Sequence, residues 1–341
     1  MTYKVLALKW RPTNFDEIIG QNHITKSLKN AIKFNRISHA FTFSGPRGVG
    51  KTTTARILAK ELNLIDDINS SFDIIEMDAA SNRGIDEIRS LRENVLIAPA
   101  HGKYKIYIID EVHMLSSQAF NAFLKTLEEP PKHAKFILAT TEKNKIIPTI
   151  LSRCQIFDFK RIGIDDISDH LAFVAKSEGI NAEQEALHLI AQKADGAMRD
   201  SLSLFDRLVS FSESNLTYHS VIDHLNILDY DYYFNITSSL LNNDIKKLLN
   251  IFNEVLENGF DGHHFINGLG NHIRDLLVSK DESTIKLLEK SNVLKTRYLE
   301  QSKLCDVSFL IKALEMCNEC DVQYNASNNK RLLFELLLMR I

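Results

Sequence analysis

The chain has 341 residues and a formal net charge of −3, with 44% hydrophobic and 25% charged residues. These fractions are those of an ordinary globular protein, and the length predicts two or three domains. No apolar run approaches the length of a membrane span, and residues 1–6 lack the features of a secretion signal. We therefore expect a cytoplasmic protein with no membrane partner.

The charge is distributed unevenly along the chain. Residues 1–60 carry eleven Lys or Arg and two Asp or Glu, whereas residues 61–100 carry three and nine. A basic N-terminal block suits a phosphate ligand or a nucleic-acid backbone. A solvated charged surface explains most of these side chains equally well.

Four cysteines are scattered over the chain, and two of them, Cys317 and Cys320, have the spacing of half a metal or redox site. They lie in a helical pattern, and no second pair is near them. The sequence therefore favours reduced, packed thiols.

The first half of the chain alternates strand-like and helix-like segments. Because the strand-like runs lack polar alternation, we expect each to be buried on both faces. The strand-like runs are residues 40–44, 72–77, 105–109 and 136–140, and the helical segments are residues 24–34, 52–62, 84–98 and 117–127. This order predicts an α/β fold with a parallel sheet covered by helices on both sides.

Beyond Ile164 the pattern is helical. Three helices are predicted at residues 165–177, 182–193 and 197–211, and others at residues 244–258, 262–279, 308–323 and 330–341. The resulting division is an α/β nucleotide-binding domain over 1–163, a small helical lid over 164–213 and an all-α domain over 214–341.

A complete phosphate-binding loop, G-x-x-x-x-G-K-[ST], occupies residues 45–52 between a predicted strand and a predicted helix. Its glycines let backbone N–H groups face phosphates at a helix N-terminus. Lys51 is expected to reach the β- and γ-phosphates, and the Thr52 hydroxyl to ligate Mg²⁺. The nucleotide contacts predicted here are Gly45, Pro46, Arg47, Gly48, Val49, Gly50, Lys51, Thr52 and Thr53.

Two carboxylates follow the strand at 105–109, where open parallel sheets place their ligands. Asp110 is predicted to hold Mg²⁺, and Glu111 to act as general base on the water that attacks the γ-phosphate. Thr141, after the strand at 136–140, offers a hydroxyl to the γ-phosphate or to that water. Threonine is also a common strand ending.

Two arginines follow these segments, Arg153 after the last predicted strand and Arg199 at the start of a helix. Arginine suits the charge that develops on a transferred phosphoryl group. On physical grounds alone, an arginine in such a position is more often a surface or ion-paired residue.

Together these residues resemble the AAA+ ATPases and, among them, the gamma/tau family of bacterial DNA polymerase III clamp-loader subunits. The resemblance covers nearly the whole chain and is strongest over residues 5–210. The matching blocks include Lys-Trp-Arg-Pro at 9–12, Asp-Ala-Ala-Ser at 78–81, Asp-Glu-Val-His-Met-Leu at 110–115, Leu-Glu-Glu-Pro-Pro at 127–131 and Ser-Arg-Cys at 152–154.

The resemblance implies ATP and Mg²⁺ as cofactors and a role for each motif residue. Thr141 corresponds to sensor 1 and Arg199 to sensor 2, which couples the lid to the γ-phosphate. Arg153 corresponds to the arginine finger, which acts on ATP bound by the neighbouring subunit. Contacts to the adenine and ribose are implied for the segment around Arg11 and Pro12 and around Ile18, Ile19 and Gly20.

The activity that the resemblance implies is ATP hydrolysis that opens and loads a sliding clamp onto primed DNA within the DNA polymerase III holoenzyme, without a polymerase site in this chain. The implied partners are further gamma/tau copies, delta, delta-prime, the sliding clamp and primer–template DNA. The domain at 214–341 would form the collar of a five-subunit ring. Asn82 and Arg83 are DNA contacts or, equally well, surface loop residues.

The sequence departs from the family at one place. Family members usually carry a four-cysteine zinc module after the phosphate-loop helix, but residues 64–71 contain no cysteine, so we expect no zinc there. We also expect the C-terminal extensions of the longer tau form to be missing from these 341 residues. Two alternatives stay open, a non-catalytic subunit similar to delta-prime and another AAA+ DNA motor such as a branch-migration helicase.

Overall fold

A computed structural model describes residues 4–65, 71–81, 84–212, 215–225, 228–281, 283–288 and 290–341. The chain divides into two compact units. One contains the described residues within Met1–Asn181 and Ile190–Ser214, and the other those within Ala182–Leu189 and Asn215–Ile341. Within the described ranges, every helix is too short or too polar to cross a lipid bilayer.

The first unit contains a five-stranded parallel sheet in the order β2-β3-β4-β1-β5. Its strands are β1 Ala40–Ser44, β2 Ile74–Asp78, β3 Lys105–Asp110, β4 Ala134–Thr140 and β5 Gln155–Asp158. The predicted parallel sheet is confirmed, and β5 adds a strand that was not predicted from the sequence.

Burial differs between the centre and the edge of the sheet. β1 and β4 are buried along their whole length, as expected for strands with helices on both faces. The prediction that every strand is buried on both faces is wrong for β2, in which Glu76 and Asp78 are not buried. The reason is its edge position, because β2 pairs only with β3.

Helices cover both faces of this sheet. The helices up to residue 211 are α1 Leu6–Lys9, α2 Asn22–Lys33, α3 Lys51–Asn63, α4 Ile85–Val95, α5 Ser117–Glu128, α6 Pro148–Leu151, α7 Ile164–Glu178, α8 Gln184–Lys193 and α9 Met198–Phe211. The boundary between the two units falls inside α8. In β3, Ile106 and Ile108 pack in one core with Leu28 of α2 and Leu58 of α3. The alternate residues of β3 pack on the opposite face with Ile88 of α4 and with Phe120 and Phe123 of α5.

The remaining elements are two short strands and seven helices among the described residues. They are β6 Asn181–Ala182, β7 Asn215–Leu216, α10 Tyr218–Leu225, α11 Tyr230–Leu241, α12 Ile245–Glu257, α13 Gly262–Val278, α14 Asn292–Leu304, α15 Val307–Gln323 and α16 Lys330–Arg340. The predicted helical character of the C-terminal region is therefore confirmed. The separate lid domain over 164–213 stays a prediction.

The core of the second unit is apolar and contains both closely spaced cysteines. Phe252 and Phe265 pack with ring centroids 5.3 Å apart. Cys317 and Cys320 are buried as free thiols in the same core. Burial raises the pKa of Cys317 to about 12 and that of Cys320 to about 11, so both are neutral packing residues at physiological pH.

A buried aspartate fixes the segment that leads into β3. The Asp73 carboxylate accepts N–H bonds from Ala100, His101 and Gly102 at 2.6, 2.8 and 2.6 Å. Burial alone would raise the pKa of Asp73, but these three backbone bonds hold it below its usual value.

We predict that Asp73→Asn lowers the free energy of unfolding by about 2 kcal/mol at neutral pH, because an amide nitrogen cannot accept these bonds. The folded pKa lies below the unfolded one, so this stabilisation is present above the unfolded pKa and is lost as the pH falls through the folded pKa. Denaturant unfolding of the wild type and of Asp73→Asn between about pH 3 and pH 7 measures the difference in their free energy of unfolding. A difference that does not shrink in acid would contradict the explanation.

Candidate nucleotide-binding site

The phosphate-binding loop joins β1 to α3 and needs glycine at two positions. Gly45 has a φ of 146°, and a Cβ there would lie 2.4 Å from the carbonyl oxygen of Phe159. Gly48 has a φ of 76°, and a Cβ there would lie 2.8 Å from the Cβ of Ala197, just before α9. The loop can therefore pass close to the end of β5 and to α9 only without side chains at these positions.

Lys51 is the first residue of α3 and is buried. Its Nζ donates to the carbonyl oxygens of Gly45 at 2.8 Å and Pro46 at 2.6 Å. Burial lowers the pKa of Lys51, while the nearby carboxylates of Glu111 and Asp110 raise it. The ammonium group thus lies beneath the loop, at the N-terminal end of a helix, where anions are favoured.

The side chains of Thr52 and Asp110 lie together and offer two oxygen atoms suited to a metal ion. The Thr52 hydroxyl donates to Asp110 Oδ2 at 2.8 Å, although the residues are 58 positions apart. Magnesium prefers such oxygens and is usually held by one or two protein ligands together with substrate phosphates. This pair fits that chemistry, and no group of three or more His, Cys, Asp or Glu suited to a metal occurs among the described residues.

Glu111 is held in an unusual backbone conformation beside the end of β4. Its φ is 47°, in the left-handed region that non-glycine residues seldom adopt. Its Oε2 accepts from the Thr141 N–H at 3.3 Å and from the Thr141 hydroxyl at 3.1 Å. Nδ1 of His113 lies 3.4 Å from the same oxygen and 3.1 Å from the Thr140 hydroxyl. Thr141 therefore contacts the carboxylate of Glu111, the predicted general base.

Lys51, Thr52, Asp110 and Glu111 border a cavity of about 540 Å³. Most of the residues predicted to bind nucleotide or metal line it, namely Arg11, Pro12, Ile19, Arg47, Gly48, Val49, Gly50, Lys51, Thr52, Thr53, Asp110, Glu111 and Arg199. Gly45, Pro46, Thr141 and Arg153 are not among its lining residues. Gly45 and Pro46 contact Lys51, and Thr141 contacts Glu111.

Several basic side chains line the cavity. Arg11 donates to the Thr53 hydroxyl at 3.0 Å. Burial lowers the pKa of Arg11, and the neighbouring charges of Arg56 and Arg199 lower it further. Arg56, which forms an ion pair with Glu76, was not predicted from the sequence. The available signal was its spacing of four from Thr52, which puts both on one face of α3.

Apolar side chains also line the cavity. Trp10, Ile18, Ile162 and Leu202 line it together with His170, whose pKa is lowered by burial. The family resemblance implied Ile18, whereas the other four were not predicted, because they come from separate segments of the chain. A cavity lined by both apolar and basic side chains suits a ligand with a ring at one end and phosphates at the other.

The structure describes the predicted arginine finger but not the predicted DNA contacts. The side chain of Arg153 is held away from this cavity, with Nη2 2.9 Å from Glu128 Oε1 and Nη1 donating to the Thr149 carbonyl at 2.8 Å. Asn82 and Arg83, the predicted DNA contacts, lie outside the described residues.

The fold is that of a AAA+ phosphate-loop protein. A solved Thermotoga maritima RuvB Holliday junction branch migration motor is similar with a TM-score of 0.53 and 20% identity, over 74% of this chain and 86% of that one. A family model described as "DNA polymerase III, delta subunit" matches residues 20–163. A second, "DNA polymerase III clamp loader subunit, ATPase lid domain", matches residues 166–214.

Relatives define the family more closely. DNA polymerase III subunit gamma of Buchnera aphidicola subsp. Schizaphis graminum is 41% identical, over 78% of each chain. Subunit tau of Bacillus subtilis is 41% identical over all of this chain and 63% of its own length. Subunit tau of Escherichia coli is 41% identical over 76% of this chain and 43% of its own length. The chain belongs to the DNA polymerase III gamma/tau family and spans only part of these tau relatives.

We predict that Gly48→Ala weakens ATP binding by about ten-fold or more, because the new methyl group must push against Ala197 next to Arg199. The matched control is Gly259→Ala. Gly259 has a similar φ of 81°, but a Cβ placed there would have nothing within 4 Å. Both variants introduce similar backbone strain. Equal ATP affinities of the two variants, measured by calorimetry, would contradict the expected clash with Ala197.

Proposed function

We propose that this chain is an ATP-hydrolysing motor subunit of a bacterial replicative clamp loader. The observation that carries the proposal is the convergence of Lys51, Thr52, Asp110 and Glu111 at one edge of the sheet, inside one cavity, in a chain of the gamma/tau family. A subunit without turnover has no need of this complete set.

In this proposal the triphosphate lies along residues 45–52. Lys51 exchanges its bonds to the Gly45 and Pro46 carbonyls for bonds to phosphate oxygens. Thr52 and Asp110 would hold Mg²⁺, which supplies neutralisation of the phosphate charge. The adenine and ribose contact the lining residues Arg11, Pro12, Ile18 and Ile19.

Glu111 then accepts the proton of the water that attacks the γ-phosphate. The two bonds from Thr141 fix one carboxylate oxygen of Glu111 and leave the other free to face that water. Arg199 lines the cavity, and its backbone N–H donates to the Gly48 carbonyl at 3.3 Å. It therefore joins α9 directly to the phosphate-binding loop, which suits the coupling role of sensor 2.

We assign Arg153 to the nucleotide of a neighbouring subunit. Its side chain lies outside the cavity of its own chain and forms a partly exposed ion pair with Glu128. Exposed pairs of this kind are weak and easily exchanged for a phosphate partner.

The proposed cycle is the one that membership of the gamma/tau family suggests. ATP binding assembles the ring, with residues 214–341 as its collar, into a form that opens the sliding clamp. Primer–template DNA then triggers hydrolysis, and the closed clamp is released on DNA. The proposed partners are other gamma/tau copies, delta, delta-prime, the clamp and primed DNA, in the cytoplasm.

One observation favours a second candidate. The family model over residues 20–163 carries the description of a delta subunit, which is consistent with a structural, non-catalytic role similar to delta-prime. The paired Thr52 and Asp110 and the positioned Glu111 argue for turnover instead. The likeness to RuvB concerns the fold alone.

We predict that Lys51→Ala and Glu111→Gln each lower ATP turnover of the assembled complex by a factor on the order of a hundred or more, because they remove the phosphate-binding charge and the general base. Glu61→Gln, on an exposed part of α3, is the matched control. Lys51→Ala should also weaken ATP binding, whereas Glu111→Gln should retain it. Unchanged ATP turnover in Lys51→Ala and in Glu111→Gln would contradict the proposal that ATP is hydrolysed in this cavity.

The same assay tests the shared site through Arg153→Ala. Because Arg153 lies outside its own cavity, the isolated variant should bind ATP like the wild type, while the assembled complex should lose turnover. A loss of ATP affinity in the isolated chain would show that Arg153 acts on its own nucleotide.

A further inference from the structure

The cavity has a wall that comes from the N-terminal segment. This N-terminal wall, residues 7–12, contributes Ala7, Leu8, Trp10, Arg11 and Pro12 to the lining. It precedes the sheet and belongs to neither the phosphate-binding loop nor the strands. Its attachment to the rest of the unit therefore decides where one side of the bound nucleotide can lie.

The wall and the residue that precedes it contact helices of the region that matches the ATPase lid model. The indole Nε1 of Trp10 donates to Glu178 Oε1 at 2.7 Å, and its ring packs edge-on against Phe173 at 5.5 Å. Lys9 Nζ lies 2.6 Å from Glu178 Oε1. The backbone N–H of Leu6 donates to Asp206 of α9 at 3.3 Å. Glu178, the last residue of α7, receives two of these bonds.

Arg11, the residue after Trp10, is attached to a different helix. Arg11 donates to the Thr53 hydroxyl on α3, directly after the phosphate-binding loop. Two consecutive residues thus reach to different elements, Trp10 to the lid helix α7 and Arg11 to the loop helix α3. A nucleotide in the cavity would contact both of them.

We propose that Glu178 is a positioning residue of the nucleotide site, which holds Trp10 against α7 so that the N-terminal wall follows the lid. The inference rests on the proposed binding of ATP in this cavity. Glu178 does not line the cavity and acts only through Trp10 and Lys9. Its side chain is 17% exposed, and the bonds from Lys9 and Trp10 lower its pKa, so it is an ionised acceptor at physiological pH.

The two bonds to Glu178 have unequal importance. Lys9 is half exposed, and exposed ion pairs contribute little. The indole bond is part-buried and charge-assisted, and such bonds are the stronger kind. Trp10 is also the only tryptophan in the sequence, so its emission reports on this contact without labelling.

The test compares Glu178→Ala with Glu178→Gln in the full chain. The alanine variant loses both bonds, and we expect its dissociation constants for ATP and ADP to rise about ten-fold by calorimetry. The glutamine variant retains an acceptor for the indole, and we expect a change within about three-fold. Trp10 emission should shift on ATP binding in the wild type and respond less in the alanine variant. Equal affinities of wild type and alanine variant, or equal losses in both variants, would overturn the proposal.

Steady-state kinetics and a control variant distinguish a positioning role of Glu178 from a purely structural one. In the assembled complex, Glu178→Ala should raise the KM for ATP and leave turnover at saturating ATP within about two-fold, because the catalytic groups are untouched. Asp169→Ala, at an exposed position of the same helix, should change neither quantity. A fall in saturating turnover at unchanged KM would contradict a positioning role.

Failure of this inference differs from failure of the proposed function. If the wild-type chain does not bind ATP, the proposed function itself is wrong. If the wild type binds ATP and Glu178→Ala binds it equally well, only the role of Glu178 is wrong.

Discussion

The parallel register of β1, β3 and β4 is the constraint on which the rest of the site depends. Because neighbouring strands run in the same direction, their carboxyl ends meet at one edge, and the segments that follow them are brought together. The loop after β1 positions Lys51 and Thr52, the end of β3 positions Asp110 and Glu111, and the end of β4 positions Thr141. The bond from Thr52 to Asp110 and those from Thr141 to Glu111 are direct consequences of this register.

Residues that belong to local patterns could be predicted from the sequence. The loop at 45–52 and the acidic pair after an apolar strand have fixed spacings with a physical reason, and the structure brings them together. β5 could not be predicted, because only Phe157 of its four residues is buried and its apolar signal is weak. Arg56 has a helical spacing that was available but ambiguous. The contact between Trp10 and Glu178 joins residues 168 positions apart, and no local pattern encodes it.

The cavity is bounded by parts of the chain that are held in different ways. β1 and β4 are buried throughout, whereas the N-terminal segment is joined to α7 and α9 by the bonds of Trp10 to Glu178 and of Leu6 to Asp206. We therefore expect a bound ligand to alter the lid side while the proposed catalytic carboxylates stay in place. This arrangement suits a motor, in which nucleotide state must change the position of a moving element without disturbing the chemistry.

ATP turnover of the assembled complex tests most directly whether this site powers the loading of a clamp. Turnover is measured alone, with primed DNA, with the sliding clamp, and with both. We expect the largest stimulation when clamp and primed DNA are present together. Stimulation by DNA alone, with no further response to the clamp, would contradict the claim and favour a DNA motor of another kind.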